Sequence, residues 1–190
     1  MTIRLHLLCA ASTPSMRFIG FPADEALDPP GRNSLTRLSG RLPRFDAVLR
    51  SPALSAAQTA EGLDLEAAPE TSLRDCDFGR WSGRTFEEIQ TQDAEALVQW
   101  ISDPHAAPHG GESFADVHRR VGAWMEDLLA RSGAILAITH PTIVRAAIAY
   151  AIGAGPDAFR RIDVAPLGRA VFSGVGGWTF RALVPAKATD

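Results

Sequence analysis

Only two cysteines, Cys9 and Cys76, stand among 190 residues. Two thiols make neither a disulfide framework nor a zinc site. No apolar run approaches the roughly 18 residues a membrane helix needs. The first residues set Arg4 and His6 inside an apolar stretch and lack a signal-peptide layout. Charge of one sign is missing as well. The chain has 19 basic and 22 acidic side chains, net −3, so no global field points to nucleic acid or to an anionic membrane. Neither a G-x-G-x-x-G nor a P-loop pattern occurs, and His105, His109 and His118 show no metal-ligand spacing. No internal repeat or low-complexity segment interrupts the chain. These absences lead us to expect a cytoplasmic protein without metal, cofactor, nucleic-acid partner or membrane contact.

What is present is ordinary for a globular chain: 46% apolar and 22% charged residues,. At this length a single domain over residues 1–190 can bury about 70% of its unfolded surface. The Leu-rich run from Arg4 to Leu8 reads as a buried strand, followed by the small, uncharged Cys9-Ala10-Ala11-Ser12-Thr13. Ligands bind beyond the carboxyl ends of strands in open α/β sheets, so Cys9 to Thr13 should line a site. A long polar segment, 14–32, includes Arg17. Helices are expected over 34–42, from the Ser51-Pro52 start to about Gly62, after the Thr85/Glu88 capping box, over 94–102, over 114–131, and from Pro141 to about Ile152. Strands are expected over 45–50, weakly over 65–68, over 134–139, and as two or three short runs between 159 and 184. This alternation argues for a three-layer α/β/α fold with a mostly parallel central sheet.

Among residues able to do chemistry, His140 stands first. It follows a strand and precedes a helix, where backbone N–H groups and the helix dipole favour an anion, and Arg145 lies five residues on. Asp75 and Asp77 sit in a glycine-bounded loop, and Gly110-Gly111-Glu112-Ser113 precedes the longest helix. By themselves Arg17 reads as a surface charge, Cys9 as a small buried residue and His6 as a strand histidine.

The order of five blocks resembles the histidine phosphatase superfamily, in its phosphoglycerate mutase-like branch. They are the small-residue turn after the first strand, then Ser51-Pro52-Ala53-Leu54 with Gln58 and Thr59, then Leu73-Arg74-Asp75 with Phe78-Gly79 and Trp81. Gly110-Gly111-Glu112-Ser113 and Ile138-Thr139-His140 with Arg145 complete the series. The resemblance spans residues 3 to 150 and implies the fold of that family and a phosphorylated small-molecule ligand. It also implies departures. Family members end the first strand with Leu-x-Arg-His-Gly-Glu-Thr, whose His becomes phosphorylated. The phosphate-binding Arg of that motif falls here on Cys9, the nucleophile on Ala10 and the Glu on Ser12, and a second phosphate-binding Arg falls on Ser55. His140 retains the second pocket histidine, and Asp75 stands where the family has its general acid.

Two readings follow from the resemblance. In one, the chain is a degenerate relative whose Cys9, Ser12, Thr13, Arg17, Ser55 and Glu112 bind a phosphate ester around the vacated Ala10 position, with little or no phosphohistidine chemistry. In the other, it is a working metal-independent phosphomonoesterase or mutase-like phosphatase that uses His140 as nucleophile or base and Asp75 as acid, with Arg17 compensating for the lost guanidiniums.

Overall fold

Alternation along two strands, β1 (Ile3–Cys9) and β4 (Gly133–Thr139), builds the centre of the sheet. A computed structural model describes residues 2–17 and 20–186, the side chain of Arg17 excepted. In β1, Ile3, Leu5, Leu7 and Cys9 enter one buried cluster and Leu8 another; in β4, Ile135 and Ala137 join the first and Leu136 and Ile138 the second. Successive side chains of a strand point to opposite faces, so β4 is apolar on both, while the second face of β1 carries Arg4 and His6 before Leu8; the apolar part of each face must be covered.

The two strands pair in parallel, Leu5 opposite Ile135 and Cys9 opposite Thr139. They lie inside a six-stranded sheet of order β3-β2-β4-β1-β5-β6, with β2 at Ala47–Arg50, β3 at Ala68–Pro69, β5 at Arg169–Gly174 and β6 at Trp178–Val184. Strands β1 to β4 run parallel, and β5 and β6 are antiparallel additions. The face of Leu8 and Ile138 is covered by α1 (Pro29–Leu38) and α2 (Leu54–Glu61). The opposite face carries α3 (Phe86–Gln92), α4 (Ala94–Ser102), α5 (Phe114–Leu128) and α6 (Pro141–Ala151). This is the expected three-layer α/β arrangement.

Several boundaries differ from expectation for identifiable reasons. Helix α1 starts five residues early because Asp28 caps it, accepting from the Gly31 N–H at 2.6 Å, with proline in its first positions,. It stops at Leu38, before an extended Ser39 and a left-handed Gly40. Helix α2 starts at Leu54, later than Ser51 suggested, because Ala53 takes the cap position. The Ser51 hydroxyl accepts from the Ala53 N–H and also meets His140. Helix α5 ends at Leu128, three residues short, in a tightened turn closed by the Leu129 and Arg131 N–H groups. No helix among the described residues is long and apolar enough to cross a membrane.

Candidate functional site

Strands β1, β2 and β4 end beneath a cleft of about 780 Å³. Thr13 reaches it from the turn after β1, Ser55 from the first turn of α2, and His140, Pro141 and Thr142 from the start of α6. Asp75 enters from the loop between β3 and α3. The positive end of the α6 dipole therefore opens into the cleft.

His140 occupies the N-cap position of α6, but its side chain does not cap. Its Nε2 lies 2.8 Å from the Ser51 hydroxyl and its Nδ1 3.7 Å from Asp75 Oδ2. The other Asp75 oxygen accepts the Cys76 N–H. The Ser51 oxygen accepts from Ala53, and its hydroxyl proton can be donated to His140 Nε2 when that nitrogen is unprotonated. We assign the neutral ring proton to Nδ1, facing the Asp75 carboxylate, since a lone pair there would be repelled. In that state neither ring nitrogen offers a lone pair to the cleft.

A buried clamp holds the Asp75 loop. Arg120 makes two bonds of 2.9 Å to the Glu112 carboxylate and donates to the carbonyls of Ser72 and Arg74 at 2.8 and 3.1 Å. Arg74 reaches the same carboxylate at 2.8 Å. The Thr139 hydroxyl donates to the Leu73 carbonyl at 2.7 Å, which ties the loop to β4 beside His140. Further along, two stretches of backbone cross closely. A Cβ on Gly111 would come within 2.0 Å of the Asp77 carbonyl oxygen, and one on Gly79, already left-handed, within 2.2 Å of that of His109. The Gly110-Gly111-Glu112-Ser113 block thus has a structural reason: a close crossing, a clamp carboxylate and the capping serine of α5.

The expected site residues separate accordingly. His140, Asp75, Thr13 and Ser55 line one cleft. Ala10 is fully buried, its N–H donating to the Thr139 carbonyl at 2.7 Å, so it sits one residue from His140 across the β1–β4 pair without lining the cleft. Cys9 is also fully buried, and burial with the nearby Asp75 charge pushes its thiol up to about 12, against the opposing pull of Arg145,. It belongs to the core, not to the cleft wall. Ser12 turns to the other side of the sheet, where it donates to Asp28 at 2.7 Å and lines a second cavity. Glu112 does not line the cleft, because its carboxylate is spent on Arg74, Arg120 and the Asp77 N–H. Arg17 closes a short 3-10 turn over Pro14–Arg17, and its side chain lies outside the described residues.

Among the described residues, the arginines Arg74, Arg145 and Arg160 line the cleft. Arg74 is held by the clamp. Arg160 lies over the Trp100 and Phe114 rings, 5.5 Å from each centroid, and donates to the Trp100 carbonyl. Arg145 is the least committed. Its Nε has no partner among the described residues, and its ion pair reaches, at 3.7 Å, an Asp163 carboxylate that is 98% exposed. No His, Cys, Asp or Glu cluster able to hold a metal is found among the described residues.

Residues 9–182 match the model of the histidine phosphatase superfamily, branch 1. The chain belongs to the histidine phosphatase superfamily. Among its curated relatives, a bifunctional protein of Mycobacterium tuberculosis is 33% identical over 143 residues, 71% of this chain and 39% of that protein. The chain therefore spans about two fifths of that relative's length. Phosphoserine phosphatase 1 of Hydrogenobacter thermophilus is 30% identical over 139 residues, 68% of this chain and 66% of that one. Solved structures share the fold. A putative alpha-ribazole-5'-P phosphatase from Escherichia coli str. K-12 superposes with TM-score 0.84 at 24% identity, covering 99% of this chain and 98% of that one. A phosphoserine phosphatase mutant from Entamoeba histolytica, solved with phosphoserine, gives 0.80 at 20%, covering 97% and 98%.

Arg160 and the aromatic residues beside it escaped sequence reasoning. Nothing in the residues around 160 signals a site, and Trp100 looks like any apolar residue of an amphipathic helix.

Proposed function

We propose that this superfamily member binds the phosphate of a small phosphorylated molecule while the inherited phosphohistidine route is closed. The observation that carries the reading is Ala10. By the family resemblance the nucleophilic position falls on the Ala10 methyl group, which is buried just after β1, the Ala10 N–H donating to the carbonyl of Thr139, the residue before His140. In-line attack on phosphorus needs a nitrogen lone pair, and Ala10 has none. The Nδ1–H tautomer assigned to His140 gives no substitute. Cys9 and Ser55 carry no charge where two guanidiniums would have steadied the transferring group.

Binding has its own support. Among the described residues Arg145 is a cation with no strong partner, and the α6 dipole opens beside it. Family membership, and relatives named for phosphate esters, agree with an anionic ligand. Removing a covalent nucleophile commonly lowers kcat by roughly 10³–10⁶.

The test pairs two assays on the unmodified chain. Calorimetric titration with inorganic phosphate should show saturable binding, and metal-free hydrolysis of an aryl phosphate should stay far below the 1–10³ s⁻¹ typical of enzymes, roughly. Turnover in that range would refute the reading.

A further inference from the structure

We propose that the molecule held in this cleft is a phosphate ester of an extended aromatic alcohol, its ring system laid along an aromatic wall. The inference deepens the proposed phosphate-binding reading and rests on it.

Five rings run in series along the cleft. Phe78 meets Phe21 at 5.4 Å, Phe21 meets Trp100 at 5.3 Å, Trp100 meets Phe114 at 5.0 Å and Phe114 meets Phe159 at 4.4 Å. All five line the same cleft as His140 and Asp75. Four of them are also core residues, so packing alone would account for their burial. Two further facts point beyond packing. Met16 and Ile101, also lining the cleft, are 38% and 39% exposed, large apolar side chains facing water on the walls of a concavity. The cleft is also far larger than a phosphate group, within the roughly 300–1,000 Å³ range of drug-sized ligands,.

Two of the carboxylates on the walls are already engaged within the chain. Asp24 accepts the Leu54 N–H, and Glu25 accepts both the amide and the hydroxyl of Ser15. Arg160 is stacked on the wall itself. Laid along the rings, a sugar or amino-acid phosphate would leave the donors and acceptors on that side facing them, which is unfavourable when they are desolvated. A flat ring system meets the wall in offset or edge-on contacts.

The experiment titrates the full chain with inorganic phosphate, phosphoserine, phenyl phosphate, 2-naphthyl phosphate and 2-naphthol, read by calorimetry and by tryptophan fluorescence. The expected order is 2-naphthyl phosphate, then phenyl phosphate, then phosphoserine and phosphate together. The naphthyl ester should bind about tenfold or more tighter than phosphate, the factor that burial of roughly 60 Å² of apolar surface supplies. Trp100→Ala and the exposed-site variant Ile101→Ser should each weaken the naphthyl ester at least threefold or so and leave phosphate unchanged. Should Trp100→Ala fail to fold, Ile101→Ser carries the test. Phosphate binding with no preference for the aryl esters would overturn this inference alone. Equal affinity for 2-naphthol and its phosphate would overturn the phosphate reading and leave the aromatic wall standing. No binding of any compound would overturn both.

Discussion

Replacing Arg120 by methionine should destabilise the fold more than it affects anion binding. The guanidinium is 16% exposed and the Glu112 carboxylate 15%. The substitution removes two charge-assisted bonds to Glu112 and three to the backbone carbonyls of Ser72, Arg74 and Asp75. Breaking a buried pair by deleting one partner costs about 3–5 kcal/mol, because the other charge is stranded. Here Arg74 still holds Glu112 at 2.8 Å, which places the expected loss near the lower end, about 3 kcal/mol. For a chain of this size that corresponds to a melting temperature lower by roughly 6–12 °C. The assay is a thermal and urea double-mutant cycle over Arg120→Met, Glu112→Gln and the double variant. The two single effects should fail to add by about 1 kcal/mol or more, because the residues share one network. Phosphate affinity of each folded variant should stay within a few-fold of the parent. If Glu112→Gln abolished phosphate binding at full stability, Glu112 would be a ligand residue and the clamp reading would be wrong.

Three further outcomes are expected. Arg145→Gln should weaken inorganic phosphate about tenfold or more, the loss of one charge-assisted bond, while urea unfolding shifts by less than about 1 kcal/mol, because the Asp163 partner is exposed; unchanged phosphate affinity would show that the anion is held elsewhere. His6 is held neutral, its pKa lowered to about 4 by burial and then by Arg169 and Arg4, and the unfolded chain binds its proton more readily. The stability His6 contributes is therefore complete above pH 6.5 and declines as pH falls toward 4; a pH series of unfolding should show that slope reduced in His6→Gln, and an unchanged slope would discard the cause. Gly111→Ala forces a methyl onto the Asp77 carbonyl oxygen and should cost about 1–3 kcal/mol, measured by urea unfolding.

How far the residues announced the fold depends on periodicity. Strand β4 is apolar on both faces and β1 along the whole of one, and α5 buries Val117, Val121, Trp124 and Leu128 along one stripe, so these elements and the three layers were legible. Helix starts were not, where two cap candidates competed. Asp28 ahead of Pro29 opened α1, and Ser51 served His140 instead of starting α2. In the site, His140 was legible from its place after a strand and before a helix, and Asp75 only through the family resemblance; both line the cleft. Cys9 and Ser12 were misplaced because the chain pivots after β1. Cys9 stays with the core, and Asp28 draws Ser12 to the opposite side of the sheet. Glu112 was expected among the phosphate-ester-binding residues because nothing nearby in sequence reveals that Arg120, two turns along, and Arg74 claim it. Arg145 was visible beside His140, but its lack of a strong partner only the packing shows. The aromatic wall joins residues from 21 to 159 across long loops, and no local pattern connects them.

The central claim concerns where a phosphoryl group can go, and one measurement addresses it directly. The unmodified chain and Ala10→His are each incubated with a ³²P-labelled aryl phosphate without metal, quenched in base, and searched for alkali-stable, acid-labile phosphohistidine by peptide mapping. Our account predicts no label in the unmodified chain, and label confined to position 10 if the variant is phosphorylated. Label on His140 of the unmodified chain would contradict it, because the second histidine would then be attacking phosphorus itself.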